Sequence, residues 1–439
     1  MQIVLLSGGS GKRLWPLSND VRSKQFLKLF KQDDTYESMV QRVYRQISSN
    51  IDNAQVTIAT SKTQVSTIMN QLKDNVNVCV EPCRKDTFPA IALACAYLKD
   101  VKHVDDSEVV VICPVDPYVN DDYFQTVQGL GNLAAKEGVN LALMGIEPTY
   151  PSEKYGYIIP ESKDNVSKVS CFKEKPTESI AKEYISQGAL WNGGVFALKI
   201  DHVLQRAHEL IEFSDYYDLF NRYDTLTKIS FDYAVVEHES DIAVMRFNGQ
   251  WKDLGTWNTL TEEMQEPTIG NVVQNDTNIN TQIINELDIP LLALGMKDCV
   301  IAASAQGILV SDKNQSSYIK PYVDSLEQTV MFALKSWGSF QVLDIQEESM
   351  TIRVTLNKGH AMNYHSHQHR DEVWTIISGN GRTIVDGMEE MVKPGDVIVM
   401  NAGCKHTIVA DTPLQLIEVQ LGKDINVNDK IKYDQPDIL

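Results

Sequence analysis

The sequence predicts an α/β domain, then a small β-rich connector, then an all-β domain. Three observations carry this. Up to about residue 265, short apolar runs alternate with helical patterns, as in a largely parallel sheet flanked by helices. From about 266, Asn, Asp, Thr and Gln crowd residues 271–281, and short apolar segments with turns follow, as at 298–311. From about 338 to 420, short strand-like runs alternate with Gly, Pro, Asn and Asp turns. The expected boundaries are 1–265, 266–330 and 331–439. At 439 residues and 43% apolar, the chain is long enough for more than one core.

The first element is Ile3-Val4-Leu5-Leu6, an apolar run that suits a strand covered on both faces. It empties into Ser7-Gly8-Gly9-Ser10-Gly11. Glycines permit positive φ, and without a Cβ they let backbone N–H groups approach phosphate oxygens. Lys12, Arg13 and Lys24 follow; Arg13 offers a planar fork for phosphate, and the lysines act as point charges. Residues 1–31 hold six basic side chains against one acid, a net +5, in a chain of net charge −19. Positive charge gathered on a glycine turn of an acidic protein points to a bound polyanion, with a nucleoside triphosphate the first candidate. An ordinary glycine turn with a solvated basic face is the alternative. Two familiar phosphate motifs do not fit: the P-loop pattern meets Leu6 and Arg13 where it needs Gly and Ser or Thr, and the dinucleotide pattern meets Leu14.

Further strands are expected at 56–59, 109–113, 141–145 and 195–198, with helices at 89–99 and 122–137. In such sheets the ligand sits beyond the carboxyl ends of the strands. Pro114-Val115-Asp116 follows one of them, so Asp116 emerges at that edge, where a carboxylate can hold Mg²⁺ against phosphate oxygens. The acidic balance, with no basic stripe outside the first loop, argues against a nucleic-acid surface. No stretch reaches the roughly 20 apolar residues of a membrane span, and the first apolar run is too short for a signal peptide. Seven scattered cysteines with no CxxC pair fit a reducing cytoplasm.

Gly8-Gly9-Ser10-Gly11-Lys12-Arg13-Leu14-Trp15-Pro16-Leu17-Ser18 with Lys24-Gln25-Phe26-Leu27 resembles the signature of the sugar-1-phosphate nucleotidyltransferases, with Lys12 where Thr is usual. More narrowly, the chain resembles bacterial mannose-1-phosphate guanylyltransferases that carry a C-terminal cupin. The resemblance implies a Rossmann-like domain in which Leu6, Gly8, Gly9, Gly11, Lys12, Arg13, Lys24, Glu81 and Pro82 contact the nucleotide. It implies that Asp116 and Asp253, the latter in Trp251-Lys252-Asp253-Leu254-Gly255, hold Mg²⁺. Tyr155-Gly156-Tyr157, Phe172-Lys173-Glu174-Lys175-Pro176 and Trp191-Asn192-Gly193-Gly194 resemble the sugar-phosphate half, with Gly156, Glu174, Lys175 and Asn192 as contacts. Arg13, Lys24 and Lys175 would carry catalysis by neutralising charge while a sugar-1-phosphate oxygen attacks the α-phosphorus. The family's Gly-Arg-Asn-Thr-Ala-Pro block near the purine reads Arg84-Lys85-Asp86-Thr87-Phe88-Pro89 here. The alternatives are another sugar-1-phosphate or triphosphate, or a non-catalytic sugar-nucleotide sensor.

Five of nine histidines lie between 360 and 406. Gly359-x5-His365-x-His367-x4-Glu372-x6-Gly379 and Gly395-x5-Asn401-x-Gly403-x2-His406 match the two cupin motifs, with Asn401 for the usual Pro. His365 and His367 share one strand face, and Glu372 and His406 are expected from neighbouring strands. Three histidines and a carboxylate suit Zn, Fe, Mn or Ni. A metal-free cupin, or a solvated polar strand at residues 365–369, is the alternative. This domain resembles type II phosphomannose isomerases, but Val373 stands where the family has His and Thr407 where it has Arg. The rival to isomerisation is an inactive or assembly-forming cupin, and the partners expected are small molecules and a second copy of the chain in a dimer. A cupin oxygenase bearing a nucleotide module is a third reading.

Overall fold

The computed structural model describes residues 1–9, 12–19, 21–326, 329–423, 425–426 and 429–434. Contacts divide the chain into two units. One comprises Met1–Ser10, Ser23–Val65 and Leu72–Gln265; the other comprises Gly11–Arg22, Ser66–Gln71 and Glu266–Leu439. The connector and the all-β domain therefore cluster together rather than as separate bodies, and two short stretches from the first 71 residues cluster with them.

The first unit is built on a nine-stranded sheet of β1 (Gln2–Ser7), β2 (Gln55–Ser61), β3 (Asn77–Glu81), β4 (Val109–Pro114), β5 (Leu141–Ile146), β6 (Tyr157–Pro160), β7 (Val166–Lys173), β8 (Leu190–Lys199) and β9 (Ile242–Phe247). Its order is β3-β2-β1-β4-β8-β5-β9-β7-β6. The first four strands are mutually parallel, as are β5 and β9. Strand β8 runs against both its neighbours, and β7 against β9 and β6. The sheet is therefore mixed, where the sequence suggested a largely parallel one. A strand buried on both faces has the same apolar composition in either direction, so direction is invisible in the local pattern.

Ile3, Val4 and Leu5 have no exposed surface, which is why β1 reads as a continuous apolar run. Helices α1 (Thr87–Asp100) and α2 (Asp122–Ala134) are among those that pack on this sheet. Helix α1 is buried from Phe88 to Ala96 and again at Leu98, so it is apolar almost all round rather than amphipathic. Its N-cap is Asp86, whose carboxylate accepts from Thr87 N at 2.8 Å. Asp86 has φ +74° and ψ −175°, a region that non-glycine residues occupy only when surrounding contacts impose it.

In the second unit, Thr268–Gly270, Gln282–Asn285 and Cys299–Ser304 pair in parallel, and Gly307–Asp312 closes the sheet antiparallel. Ile283, Ala293 and Ile301 form its small core. The cupin that follows is two sheets, one of six strands and one of five, around Leu356, Trp374, Ile376, Ile408 and Leu416. This is the double-sheet, jelly-roll arrangement.

Candidate active site and metal centre

Parallel pairing of β1 with β4 sets Leu6 beside Pro114, so the glycine loop and Asp116 leave the sheet at the same edge. Val115 N donates to the half-buried Leu6 carbonyl at 3.3 Å, which ties the two strand ends together. Residues Trp251–Asp253 pair antiparallel with Pro117–Val119, with Asp253 opposite Pro117. That short ribbon carries Asp253 back to Asp116.

Lys24 lies between the two acids, its Nζ 2.9 Å from Asp116 Oδ2 and 3.4 Å from Asp253 Oδ1. Burial alone would lower the Lys24 ammonium, but the two carboxylates outweigh it and hold its pKa above the usual lysine value. Asp116 and Asp253 keep 40% and 47% of their side chains exposed, enough for a hard cation that retains waters. Two convergent, accessible carboxylates form a donor set that Mg²⁺ would fit once waters and phosphate oxygens complete it.

The loop itself is pinned by a buried polar network that sequence reading missed. Gln64 Nε2 donates to Ser23 Oγ at 2.7 Å, and Ser23 Oγ donates to the Gly9 carbonyl at 2.8 Å. Thr60 Oγ1 donates to Gln64 Oε1 at 2.9 Å, and Gln25 Nε2 to Ser7 Oγ at 3.0 Å. Neither Gly8 nor Gly9 has the positive φ that glycine was expected to supply. A Cβ on Gly9 would meet nothing within 4 Å, so no neighbouring protein atom demands glycine there and the space beside it is open. Gly11 lies outside the described residues. Lys12 and Arg13 fall in the one-turn helix Lys12–Leu14, within the second unit, where Arg13 is exposed and Lys12 Nζ is 3.4 Å from Asp324 Oδ1.

Glu81 ends β3 and is buried; a Cβ on Gly8 would lie 3.9 Å from its Oε1. Burial raises its pKa, and Tyr223, whose hydroxyl donates to Oε2 at 3.0 Å, opposes the shift. Pro82 beside it is exposed. The divergent block that follows is held by backbone: Phe88 N donates to Ile229 O at 3.2 Å, Ile229 N to Lys85 O at 3.2 Å, and Phe231 N to Thr87 Oγ1 at 2.8 Å. Phe88 is 2% exposed, so the larger side chain fills core.

The sugar-phosphate residues also come together. A Cβ on Gly156 would lie 2.5 Å from Glu174 Oε2 and 2.9 Å from the Phe172 ring. A side chain there would force the Glu174 carboxylate or the Phe172 ring to shift. Lys175 adopts φ +45° and its Nζ is 2.7 Å from Glu174 Oε1. Burial opposes its charge, yet Glu174 and Asp232 raise its pKa. Asn192 N donates to the Gly156 carbonyl at 2.8 Å, and its Nδ2 donates to Asp232 Oδ1 at 2.7 Å. Asp232 was not foreseen, for Phe231-Asp232-Tyr233 has no motif spacing to mark it. Burial and the neighbouring Glu174 carboxylate push Asp232 up to about 7.

In the cupin, the nitrogens and oxygens of His365, His367, Glu372 and His406 lie within 4.8 Å of one another, and all four residues are buried. His406 arrives from the strand paired with His365. Glu372 does not come from a neighbouring strand as expected; it belongs to Asp371–Ser378 of the six-stranded sheet. Each histidine Nδ1 faces a backbone carbonyl: Asn363 O at 2.6 Å, Asp429 O at 2.5 Å and Cys404 O at 3.0 Å. Donation there leaves each Nε2 as an acceptor, the form that ligates metal, and the His367 Nε2 accepts from Arg370 Nη2 at 3.1 Å. Burial, then Lys430 and His406, lower His365 to about 2, so it is neutral. Arg370 Nε donates to Glu372 Oε1 at 3.1 Å, a charge-assisted bond that favours the carboxylate form. Glu372 Oε2 and His406 Nε2 lie 3.2 Å apart, both buried and neither with a hydrogen-bond partner among the described residues. The donor set and its orphaned atoms fit a divalent transition metal.

The sequence profile of the Nucleotidyl transferase family matches residues 2–268, and that of the Mannose-6-phosphate isomerase C-terminal family matches residues 323–435. A mannose-1-phosphate guanylyltransferase of Klebsiella pneumoniae is 28% identical, covering 98% of both chains. The Pseudomonas aeruginosa alginate biosynthesis protein AlgA is 26% identical over 97% of this chain and 95% of its own. Among solved structures, a mannose-1-phosphate geranyltransferase from Thermus thermophilus covers 74% of this chain and 98% of its own, with 26% identity and a TM-score of 0.60.

Proposed function

The chain belongs to the Nucleotidyl transferase family, and on that premise we propose that it transfers GMP from GTP to mannose-1-phosphate, giving GDP-mannose and pyrophosphate. The observation that carries this reading is Lys24 held between Asp116 and Asp253 at the edge where the glycine loop emerges. The mannose-1-phosphate guanylyltransferases similar to it over their full length supply the substrate names.

Asp116 and Asp253 would hold Mg²⁺, which supplies charge neutralisation at the phosphates. Gly8 and Gly9 leave room at the end of β1 for the triphosphate. Arg13 and Lys24 balance its charge, and the ribbon of Trp251–Asp253 on Pro117–Val119 keeps the two carboxylates convergent. Glu174 and Asn192 orient the sugar, and Lys175 offsets the charge of the attacking phosphate. That phosphate is already an anion, so no side chain need remove a proton. Its oxygen forms a bond to the α-phosphorus as the bond to pyrophosphate breaks. The test is pyrophosphate release across four nucleoside triphosphates and several sugar-1-phosphates. Signal confined to GTP with mannose-1-phosphate supports the assignment, another productive pair changes the substrate name, and silence throughout favours a sugar-nucleotide sensor.

A second activity rests on the barrel tetrad. The cupin would interconvert mannose-6-phosphate and fructose-6-phosphate, with His365, His367, Glu372 and His406 holding Zn, Fe, Mn or Ni. The buried donor set of His365, His367, Glu372 and His406 supports a metal-loaded barrel over an inert one, and metal-replete protein that makes no mannose-6-phosphate from fructose-6-phosphate overturns the isomerase reading. We place the domains at 1–265, 266–330 and 331–439, and the protein in the cytoplasm as a homodimer. No helix among the described residues is long and apolar enough to cross a membrane.

A further inference from the structure

Residues 12–22 follow the glycine loop in sequence, and the structure anchors them on the connector at successive points. Arg22 donates through Nη1 and Nη2 to Glu286 Oε2 and Oε1 at 2.7 and 2.8 Å. This is a bidentate fork, the strongest geometry an arginine–carboxylate pair offers, and Arg22 is only 14% exposed. Its guanidinium also lies 5.5 Å from the centre of the Phe332 ring. The buried Ser304 hydroxyl donates to the Pro16 carbonyl at 2.8 Å. Gln306 receives Asn19 Nδ2 at 3.5 Å and donates to the Thr329 carbonyl at 2.8 Å.

Gly307 supplies a steric contact. A Cβ there would fall 2.5 Å from Trp15 Cζ2, and the residue has φ +151°. Lys12 itself meets Asp324 at 3.4 Å. The helix that presents Lys12 and Arg13 is three residues long. One turn cannot hold its own conformation in water, so the position of those two cations is set by whatever grips the segment around them. In this structure the contacts that grip it come from residues between Glu286 and Phe332.

We infer that the connector is a positioning device for triphosphate binding: Glu286 and Ser304, acting through Arg22 and Pro16, fix the segment that carries Lys12 and Arg13. They are positioning residues and need not touch the nucleotide. The exposed Lys12–Asp324 pair contributes little by itself and yields to a polyphosphate, whereas the Arg22–Glu286 fork persists. The inference rests on the reading that Lys12 and Arg13 bind the triphosphate.

The test measures kinetics and direct GTP binding in the full-length chain with Mg²⁺, comparing wild type, Glu286→Gln, Arg22→Glu, and the charge-exchanged pair Arg22→Glu with Glu286→Arg. Loss of the fork should raise KM and Kd for GTP about 10-fold while kcat falls less than about 2-fold. KM for mannose-1-phosphate should stay unchanged. The exchanged pair should recover most of the GTP affinity, which a merely destabilised fold would not do. Gly307→Ala presses on Trp15 from the connector side and should reproduce the GTP defect if the exchanged pair does not fold. Unchanged GTP affinity in Glu286→Gln and Gly307→Ala overturns the inference. So does an equal rise in both KM values. A wild-type chain that binds no GTP removes the underlying reading, and the inference with it.

Discussion

Lys24 Nζ stands 2.9 Å from Asp116 Oδ2, an ion pair joining the residue after the glycine loop's anchor, Ser23, to the carboxylate just beyond β4. Asp116 is the more informative partner because it is 40% exposed and buries no core surface. Asp116→Ala is therefore expected to remain folded and to lose about 10³-fold or more in pyrophosphate release. The check is a GTP and mannose-1-phosphate assay beside a thermal melt. Near-normal turnover in the folded variant would remove Asp116 from the metal role.

Gly156→Ala tests the sugar half. The new methyl would contact Glu174 Oε2 and Phe172, so Glu174 must turn away or the ring must shift. The expected cost is about 1–3 kcal/mol of stability, with a raised KM for mannose-1-phosphate and little change in KM for GTP. Urea unfolding and two-substrate kinetics measure both. A rise in the GTP term alone would contradict the placement.

Asp232 gives a pH dependence with a defined sign. Its folded pKa is raised to about 7 from 3.8, so between these values the folded state binds the extra proton. Stability from this group is greatest below the lower value and falls as pH rises toward about 7. Above that, the ionised carboxylate adds negative charge beside Glu174 and repels the sugar phosphate. KM for mannose-1-phosphate is expected to climb through pH 7 in the wild type and to flatten in Asp232→Asn. Identical profiles for the two proteins would sink this account.

Metal in the barrel should be measurable without any turnover. Full-length protein is expected to take up about one divalent transition metal per chain, and at 100 times Kd to gain about 2.7 kcal/mol of stability. Chelation should reverse the gain, and His365→Ala should abolish it. Elemental analysis and melting curves read this directly, and an unchanged melt with no retained metal would argue for an inert barrel.

Much of the site was legible because phosphate and metal chemistry restrict residue type. The glycine run, Lys24, Asp116 and the histidines at 365, 367 and 406 stand out by residue type and spacing, as did the α/β, connector and cupin succession, whereas Asp253 was marked only by resemblance to a family block. What the chain alone withheld was long-range geometry. Nothing local says that β8 runs antiparallel, that Glu372 crosses from the facing sheet, or that Asp232 and Tyr223 lie beside Asn192 and Glu81. Gln64 is an unremarked polar residue until folding buries it against Ser23 and forces its hydrogen bonds inward. Likewise Arg22 belongs, by sequence, to a basic cluster around the phosphate loop, yet its guanidinium is committed to Glu286. Residue chemistry is written locally. Partner choice is decided only when distant segments are desolvated together and each buried polar group must find whatever the fold has placed within reach.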